Sequence, residues 1–452
     1  MARGLTRYTS LLGLGFGDCG KGLFTDYFCH VDEVHTVVRF NGGAQAGHNV
    51  VRPDGRHHTF SQFGAGSFNQ GVATVLASPV VVHPTGLLAE NEYLRRAGIV
   101  DALSRVRIDA RCRVTTPFHQ AAGRLREWAR GPQAHGSCGV GVGETVRQAL
   151  AHPDTALHYG DLPHRARTLD KLEAIRAALR LEFKDAMPWH DAALAERALL
   201  EDDDVALRWL NALQPCIAQA PPVDRATIAQ RLARPGGVVF EGAQGVLLDE
   251  WRGFHPHTTW SSISTQAVDA VLSDLGIDAR IRHLGVLRAY LTRHGAGPLP
   301  TVDVALDALA EPHNADAGWQ GRFRRGHPDE VLLRYALKSV GPLDGLLVSH
   351  LDAVDAAPGL HWCRAYEMAT TEGIVTDLPW KHESDLTHQQ ALTALLQNIT
   401  PRYEHSRIAS PAHWVGRAES VSGLPVLFGS FGPTHRDVRQ LAKHAPAWAA
   451  RP

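Results

Sequence analysis

The chain has 452 residues, 44% of them hydrophobic and 21% charged, with a formal net charge of −1. That composition is of a globular, enzyme-sized protein. The balanced charge excludes broad attraction to nucleic acid or to an anionic membrane surface, and no apolar run approaches the ~20 residues of a membrane span.

The N-terminus, Met1 to Arg7, is mildly basic but is not followed by a secretory apolar core. The apolar run Tyr8–Leu14 leads into Gly15-Phe16-Gly17-Asp18-Cys19-Gly20-Lys21-Gly22 and then into Leu23–Phe28. This order predicts strand, glycine-rich turn and helix. Glycines let backbone N–H groups approach a phosphate, and the helix N-terminus adds a favourable dipole. Lys21 adds a point charge. The spacing matches the first part of a P-loop, but Gly22 stands where a metal-binding Ser or Thr would follow the lysine. Asp18, inside the loop, is an acidic group beside bound phosphates, which predicts phosphoryl chemistry with an acid/base or a metal ligand built in.

Further along, four apolar runs end in polar or glycine-rich loops. His35–Phe40 runs into Asn41–His48, Gly237–Phe240 into Glu241–Gly245, Leu346–Val348 into Ser349–Asp352, and Pro425–Phe428 into Gly429–Pro433. Such runs suit strands buried on both faces of a mainly parallel sheet, whose carboxyl ends gather ligand-binding loops. Residues 86–230 read differently. Leu172, Ile175, Leu179 and Phe183 keep helical spacing, and Ala193–Leu213 is a helical stretch interrupted by the acidic Glu201–Asp204. The expectation is an α/β fold: a large, mainly parallel central sheet with a P-loop-like phosphate loop, flanking helices, and mostly helical insertions over 86–230. No repeat, heptad or linker marks a boundary, so residues 1–452 are expected to form one domain. The six cysteines (Cys19, Cys29, Cys112, Cys138, Cys216, Cys363) show no C-x-x-C spacing, which predicts reduced thiols in a cytoplasm. The pairs His57-His58 and His255-x-His257 lack metal-site spacing, and hydrogen-bonded or solvated histidine is expected there.

Taken together, these loops resemble the adenylosuccinate synthetase family along nearly the whole chain. Gly17–Gly22 is similar to that family's G-D-E-G-K-G, and Asn41–His48 to G-G-x-N-A-G-H. Phe240–Asp249 is similar to F-E-G-A-Q-G-T-L-L-D, and Thr292–Thr301 to T-R-V-G-A-G-P-F-P-T. Gly321–Arg325 is similar to G-R-R-R-R, Ser349–Asp352 to T-K-L-D, and Gly432-Pro433 to the end of S-T-G-P. The resemblance implies a carbon–nitrogen ligase that joins L-aspartate to C6 of a 6-oxopurine nucleotide, with GTP as co-substrate and Mg²⁺ as cofactor. In the implied roles Asp18 is the base at N1 and, with the Gly47 carbonyl, a metal ligand. His48 donates to the moving phosphoryl group and Lys21 stabilises its charge. Gly17, Cys19, Gly20, Gly22, Gln45, Cys138, Gln244 and Thr259 contact nucleotide. Arg322, Arg324 and Gln320 meet the aspartate. Asp352, Ser430, Gly432 and Pro433 surround the guanine. A homodimer is also implied.

The departures fall on substrate contacts. Cys19 replaces a Glu, Gln45 an Asn, Cys138 a Thr that grips the 5′-phosphate, Trp319-Gln320 a Thr pair, and His350 a Lys. A family arginine that crosses the dimer to the same phosphate belongs around 147–154, where only Arg147 is available. Other acceptors therefore stay open: GMP or dGMP, or a purine analogue without a 5′-phosphate. ATP is an alternative phosphoryl donor. A catalytically silent nucleotide-binding homologue and a P-loop kinase or GTPase are the readings from other classes.

Overall fold

The computed structural model describes residues 5–184, 190–314, 319–356, 358–368 and 373–442. The start of the N-terminal segment, residues 1–4, lies outside them. A ten-stranded sheet organises the chain. From edge to edge its strands are Val438–Gln440, Val426–Ser430, Gly345–Ser349, Ile281–Arg288, Thr6–Gly13, Gly236–Glu241, Val34–Arg39, Ala73–Leu76, Val106–Asp109 and Pro222–Val223. Every neighbouring pair is parallel except the last strand among the described residues, Val438–Gln440, which runs antiparallel to Val426–Ser430.

The strand Thr6–Gly13 lies at the centre because it is apolar on both faces: Leu11 and Leu12 are fully buried on opposite sides. It pairs with Gly236–Glu241 on one side, starting at Thr6 opposite Gly236, and with Ile281–Arg288 on the other. All four apolar runs named above are sheet strands. Ala73–Leu76 and Ile281–Arg288 are further ones, the second carrying polar residues Arg282 and His283 within its apolar pattern.

Residues 86–230 are more than helical insertions. They hold helices such as Pro117–Arg130, Val142–Ala151 and Arg165–Glu182, but Val106–Asp109 and Pro222–Val223 extend the main sheet to its edge. These strands are four and two residues long, too short for a periodicity to show in the sequence. Leu172, Ile175, Leu179 and Phe183 are buried in the same apolar cluster. The stretch Ala193–Leu213 is two helices, Asp191–Glu201 and Val205–Ala212, separated at the acidic residues Asp202–Asp204. No helix among the described residues is long and apolar enough to cross a membrane, and all six cysteines are free thiols.

The phosphate-type loop is packed against the loop that follows Glu241. A side-chain carbon placed on Gly245 would lie 2.2 Å from the Gly15 carbonyl oxygen and 2.8 Å from the Gly17 nitrogen. Neither atom can swing away as a side chain would. Gly245→Ala is therefore expected to destabilise the protein by ~1–3 kcal/mol, the usual cost of overpacking. A lower denaturant midpoint with an unchanged slope checks this.

Candidate active site

Two adjoining cavities open where the carboxyl ends of the parallel strands meet. The first, of about 350 Å³, is lined by Phe16, Gly17, Gln45, Gln244, Thr259 and Gln320, with His135, Gly136, His257, Arg293 and His294 among the others. The second, of about 230 Å³, is lined by Cys19, Gly20, Gly22, Arg288, His350, Asp352, Gly432 and Pro433. Asp18, Lys21, Gly47, His48, Asn49, His313 and Asn314 line both, so they form a common wall.

The backbone at this wall is held in an uncommon shape. Asp18 (φ 43°), Gln244 (φ 54°) and His350 (φ 58°) are three of the four non-glycine residues with positive φ among those described. Their gathering at one site is the pattern of local strain kept for function. Gly20 is in the left-handed region at the N-cap of the helix Lys21–Val31. At Gly22 an added carbon would lie 2.7 Å from the Asn49 carbonyl oxygen and 3.0 Å from the His48 carbonyl carbon. Glycine after the lysine thus lets the helix abut the strand that carries His48, and a Ser or Thr hydroxyl has no room there.

Lys21 is buried, and its Nζ donates to the Gln244 carbonyl oxygen at 2.5 Å. Asp18 lies with its Oδ2 3.4 Å from His294 Nε2, while Arg288 donates to the Asp18 carbonyl at 3.1 Å. Burial would raise the Asp18 carboxyl, but the His294 contact and the charges of His294, Arg288 and Lys21 hold it below its ordinary value. It is a carboxylate at neutral pH. His48 Nδ1 lies 2.9 Å from Glu241 Oε1. Burial lowers the imidazole to about 4. Glu241 is fully buried and would be raised by that burial; the facing His48, the Arg39 guanidinium at 3.9 Å and the Ala65 N–H at 3.1 Å keep it ionised.

Four residues expected at the site line neither cavity. Ser430 is buried beneath it, its Oγ accepting from the His350 N–H at 3.2 Å. Arg322 is ion-paired with Asp307 at 2.5 Å. Arg324 donates to the Gly297 carbonyl at 2.6 Å, behind the wall of the first cavity. Cys138 is turned into its own loop, its thiol pushed up by burial. Arg147 is committed to Glu144 and Glu182, at 2.8 Å from each. Conversely, Glu241, His294 and Arg288 were not among the expected site residues. Glu241 is the second residue of the FEGAQG segment, and His294 stands within Thr292–Thr301, so both lay inside recognisable motifs.

A buried carboxylate ties the two ends of the second cavity together. Asp26, on the helix that leaves the phosphate-type loop, accepts from Arg52 at 2.8 Å and Asn69 at 2.9 Å, and its other oxygen meets His435 Nδ1 at 2.9 Å. His435 follows closely on Gly432 and Pro433.

A family model described as adenylosuccinate synthetase matches residues 10–438. The adenylosuccinate synthetase of Thioalkalivibrio sulfidiphilus is 30% identical over 459 residues, covering 97% of this chain and 99% of that protein. That of Nitrosomonas eutropha is 29% identical over 441 residues, covering 95% and 97%. Two solved structures share the fold. Fully ligated adenylosuccinate synthetase from Plasmodium falciparum aligns with a TM-score of 0.78 at 20% identity, covering 96% of this chain and 100% of that one. The cyanophage S-2L succinoaminodeoxyadenylate synthetase, bound to dGMP and to dATP as an energy donor, aligns with a TM-score of 0.59 at 16% identity, covering 96% and 95%.

Proposed function

The chain belongs to the adenylosuccinate synthetase family, and on that premise we propose that it is a GTP-dependent carbon–nitrogen ligase joining L-aspartate to C6 of an IMP-type 6-oxopurine through a 6-phosphoryl intermediate. The observation that carries the reading is the common wall: Asp18, Lys21 and His48 face both cavities at once. A group that passes from a donor in one to an acceptor in the other crosses this wall, where these three side chains carry the ionisable chemistry the transfer needs.

The lactam oxygen of the purine is a poor leaving group, so it is first made a good one. Asp18 takes the N1 proton, and the electron pair moves onto O6. O6 attacks the γ-phosphorus of GTP while the bond to the β–γ bridging oxygen breaks and GDP leaves. The neutral aspartate amine then adds to C6, phosphate departs with O6 and takes up the proton lost by the new C–N nitrogen, and Asp18 releases the N1 proton to solvent. Lys21 stabilises the charge of the moving phosphoryl group, exchanging the Gln244 carbonyl for it. His48, oriented by Glu241, hydrogen-bonds the same group. Asp352, Gly432 and Pro433, at the far side of the second cavity, take the guanine, with Ser430 supporting His350 beneath. Gln244, Gln45 and Thr259 face the purine. Gln320 lies where the aspartate enters. For Arg322 and Arg324 to hold its carboxylates, they must exchange Asp307 and the Gly297 carbonyl for the ligand, a swap that suits the guanidinium fork.

Mg²⁺ fits this wall by donor chemistry: the Asp18 carboxylate and the Gly47 carbonyl are hard oxygen donors, both lining both cavities. When bound, the ion neutralises phosphate charge. We place the protein in the cytoplasm, as its free cysteines suggest, and read it as a homodimer.

Incubating the protein with Mg²⁺, aspartate, GTP or ATP, and a panel of IMP, GMP, dGMP and their nucleosides tests this. Release of phosphate together with an adduct of succinyl mass is expected, with GTP the better donor. Absence of phosphate release with every acceptor would overturn the ligase reading.

A further inference from the structure

Asp18 is held by its backbone, and the group that holds it is itself held. Arg288 Nη1 donates to the Asp18 carbonyl oxygen at 3.1 Å. The carboxylate of the same residue meets His294 instead, at 3.4 Å. The Arg288 guanidinium is buried, with 5% of its side chain exposed, and lies over the Tyr290 ring at 4.3 Å. A buried cation gains more from a full carboxylate charge than from a carbonyl dipole. Glu311 and, after it, Asp18 are the carboxylates whose charges act on this guanidinium. Its place on the Asp18 carbonyl therefore depends on Glu311.

Glu311 is built to keep that place. Its Oε1 is ion-paired with Arg288 Nη2 and accepts from the Tyr290 hydroxyl at 2.5 Å. Its Oε2 accepts from Asn314 Nδ2 at 3.1 Å. Only 6% of the Glu311 side chain is exposed, so the pair is made within one chain and needs no outside group. Tyr290 and Asn314 fix the carboxylate, and the carboxylate fixes the guanidinium. One nitrogen of the fork is then spent on Glu311 and the other on the Asp18 carbonyl. A quarter of the Asp18 side chain stays exposed at the common wall.

Resting on the ligase reading for the role of Asp18, we propose that Glu311 is a positioning residue that holds Arg288 on the Asp18 backbone and off the Asp18 carboxylate. The carboxylate is thereby left free to take the N1 proton. Without the charge of Glu311, the buried guanidinium is left with Asp18 as its counter-ion and turns onto it.

Crystal structures of the full-length protein and of Glu311→Gln, which keeps the shape and removes the charge, test the proposal together with steady-state kinetics. In Glu311→Gln the guanidinium is expected to leave the Asp18 carbonyl for the Asp18 carboxylate. Turnover, as kcat for phosphate release, is expected to fall at least tenfold, with KM for the acceptor changed less than threefold. Removing the cation as well, in Glu311→Gln/Arg288→Met, is expected to raise kcat at least fivefold above the single variant, which a simple loss of packing would not do. A guanidinium still on the carbonyl in Glu311→Gln would overturn the proposal, as would an unchanged kcat or a double variant no faster than the single one. Should Glu311→Gln fail to fold, Glu311→Asp carries the test because it keeps the charge. There the guanidinium is expected to stay on the carbonyl, and its transfer to the Asp18 carboxylate would sink the idea. If the unmodified protein releases no phosphate with any acceptor, the ligase reading falls, while the position of the guanidinium in the variants still decides this inference.

Discussion

Asp18→Asn is expected to reduce phosphate release by about 10³-fold, within the range that a positioned general base contributes. The amide cannot accept the N1 proton, so O6 stays a weak nucleophile and the first bond does not form. The fold should be kept. Asparagine tolerates the left-handed backbone that Asp18 adopts at φ 43°, and the Arg288 contact is to the backbone carbonyl. The variant also loses its charged partner for His294 and one anionic metal donor. Nucleotide binding is therefore measured beside turnover: a binding loss of a few fold with a turnover loss near 10³ isolates the proton transfer. Turnover within tenfold of the unmodified protein would remove Asp18 from the base role.

His48→Asn is expected to lower kcat by about 10²–10³-fold with a much smaller change in KM. The reason is geometric. The imidazole is buried between Glu241 and the common wall, so no water replaces it as a donor in the same place. Burial favours its neutral form, and an arriving triphosphate favours the charged one. The group is thereby poised to strengthen its hydrogen bond as charge develops. Glu241 keeps Arg39 and the Ala65 N–H after the substitution, so a large loss of stability is not expected. Thermal unfolding separates the outcomes: a fall in kcat at an unchanged midpoint supports the catalytic role, and an unchanged kcat removes it.

What the sequence disclosed depended on how local each feature is. The phosphate-type loop was legible because its glycines, Asp18 and Lys21 lie within eight consecutive residues between a strand and a helix. The strands Val34–Arg39, Gly236–Glu241, Gly345–Ser349 and Val426–Ser430 were legible as continuous apolar runs, and their carboxyl ends do converge. The His48–Glu241 pair was hidden because its partners come from strands far apart in the chain, although both motifs were visible separately. The hydrogen bonds from the Gly136 and Ser137 N–H groups to Glu127 Oε2, at 3.1 and 3.2 Å, were hidden for a different reason. Nothing about a glutamate near the end of an amphipathic helix marks it as the partner of a glycine loop nine and ten residues later. The short edge strands Val106–Asp109 and Pro222–Val223 owe their form to the strands they pair with and carry little pattern of their own.

The sheet order also governs when the protein can exist. The central strand Thr6–Gly13 is made well before both of its neighbours, Gly236–Glu241 and Ile281–Arg288, which lie far along the chain from it. While the ribosome is still working, the strand that leads into the phosphate-type loop has no partner on either edge. An apolar segment with two open edges is a template for association with other chains. Asp26 waits longer still, since its partner His435 follows it by 409 residues. The second cavity therefore takes its form only once residues separated by most of the sequence have met, and until Gly236–Glu241 and Ile281–Arg288 are made both edges of the strand Thr6–Gly13 stay open to pairing elsewhere.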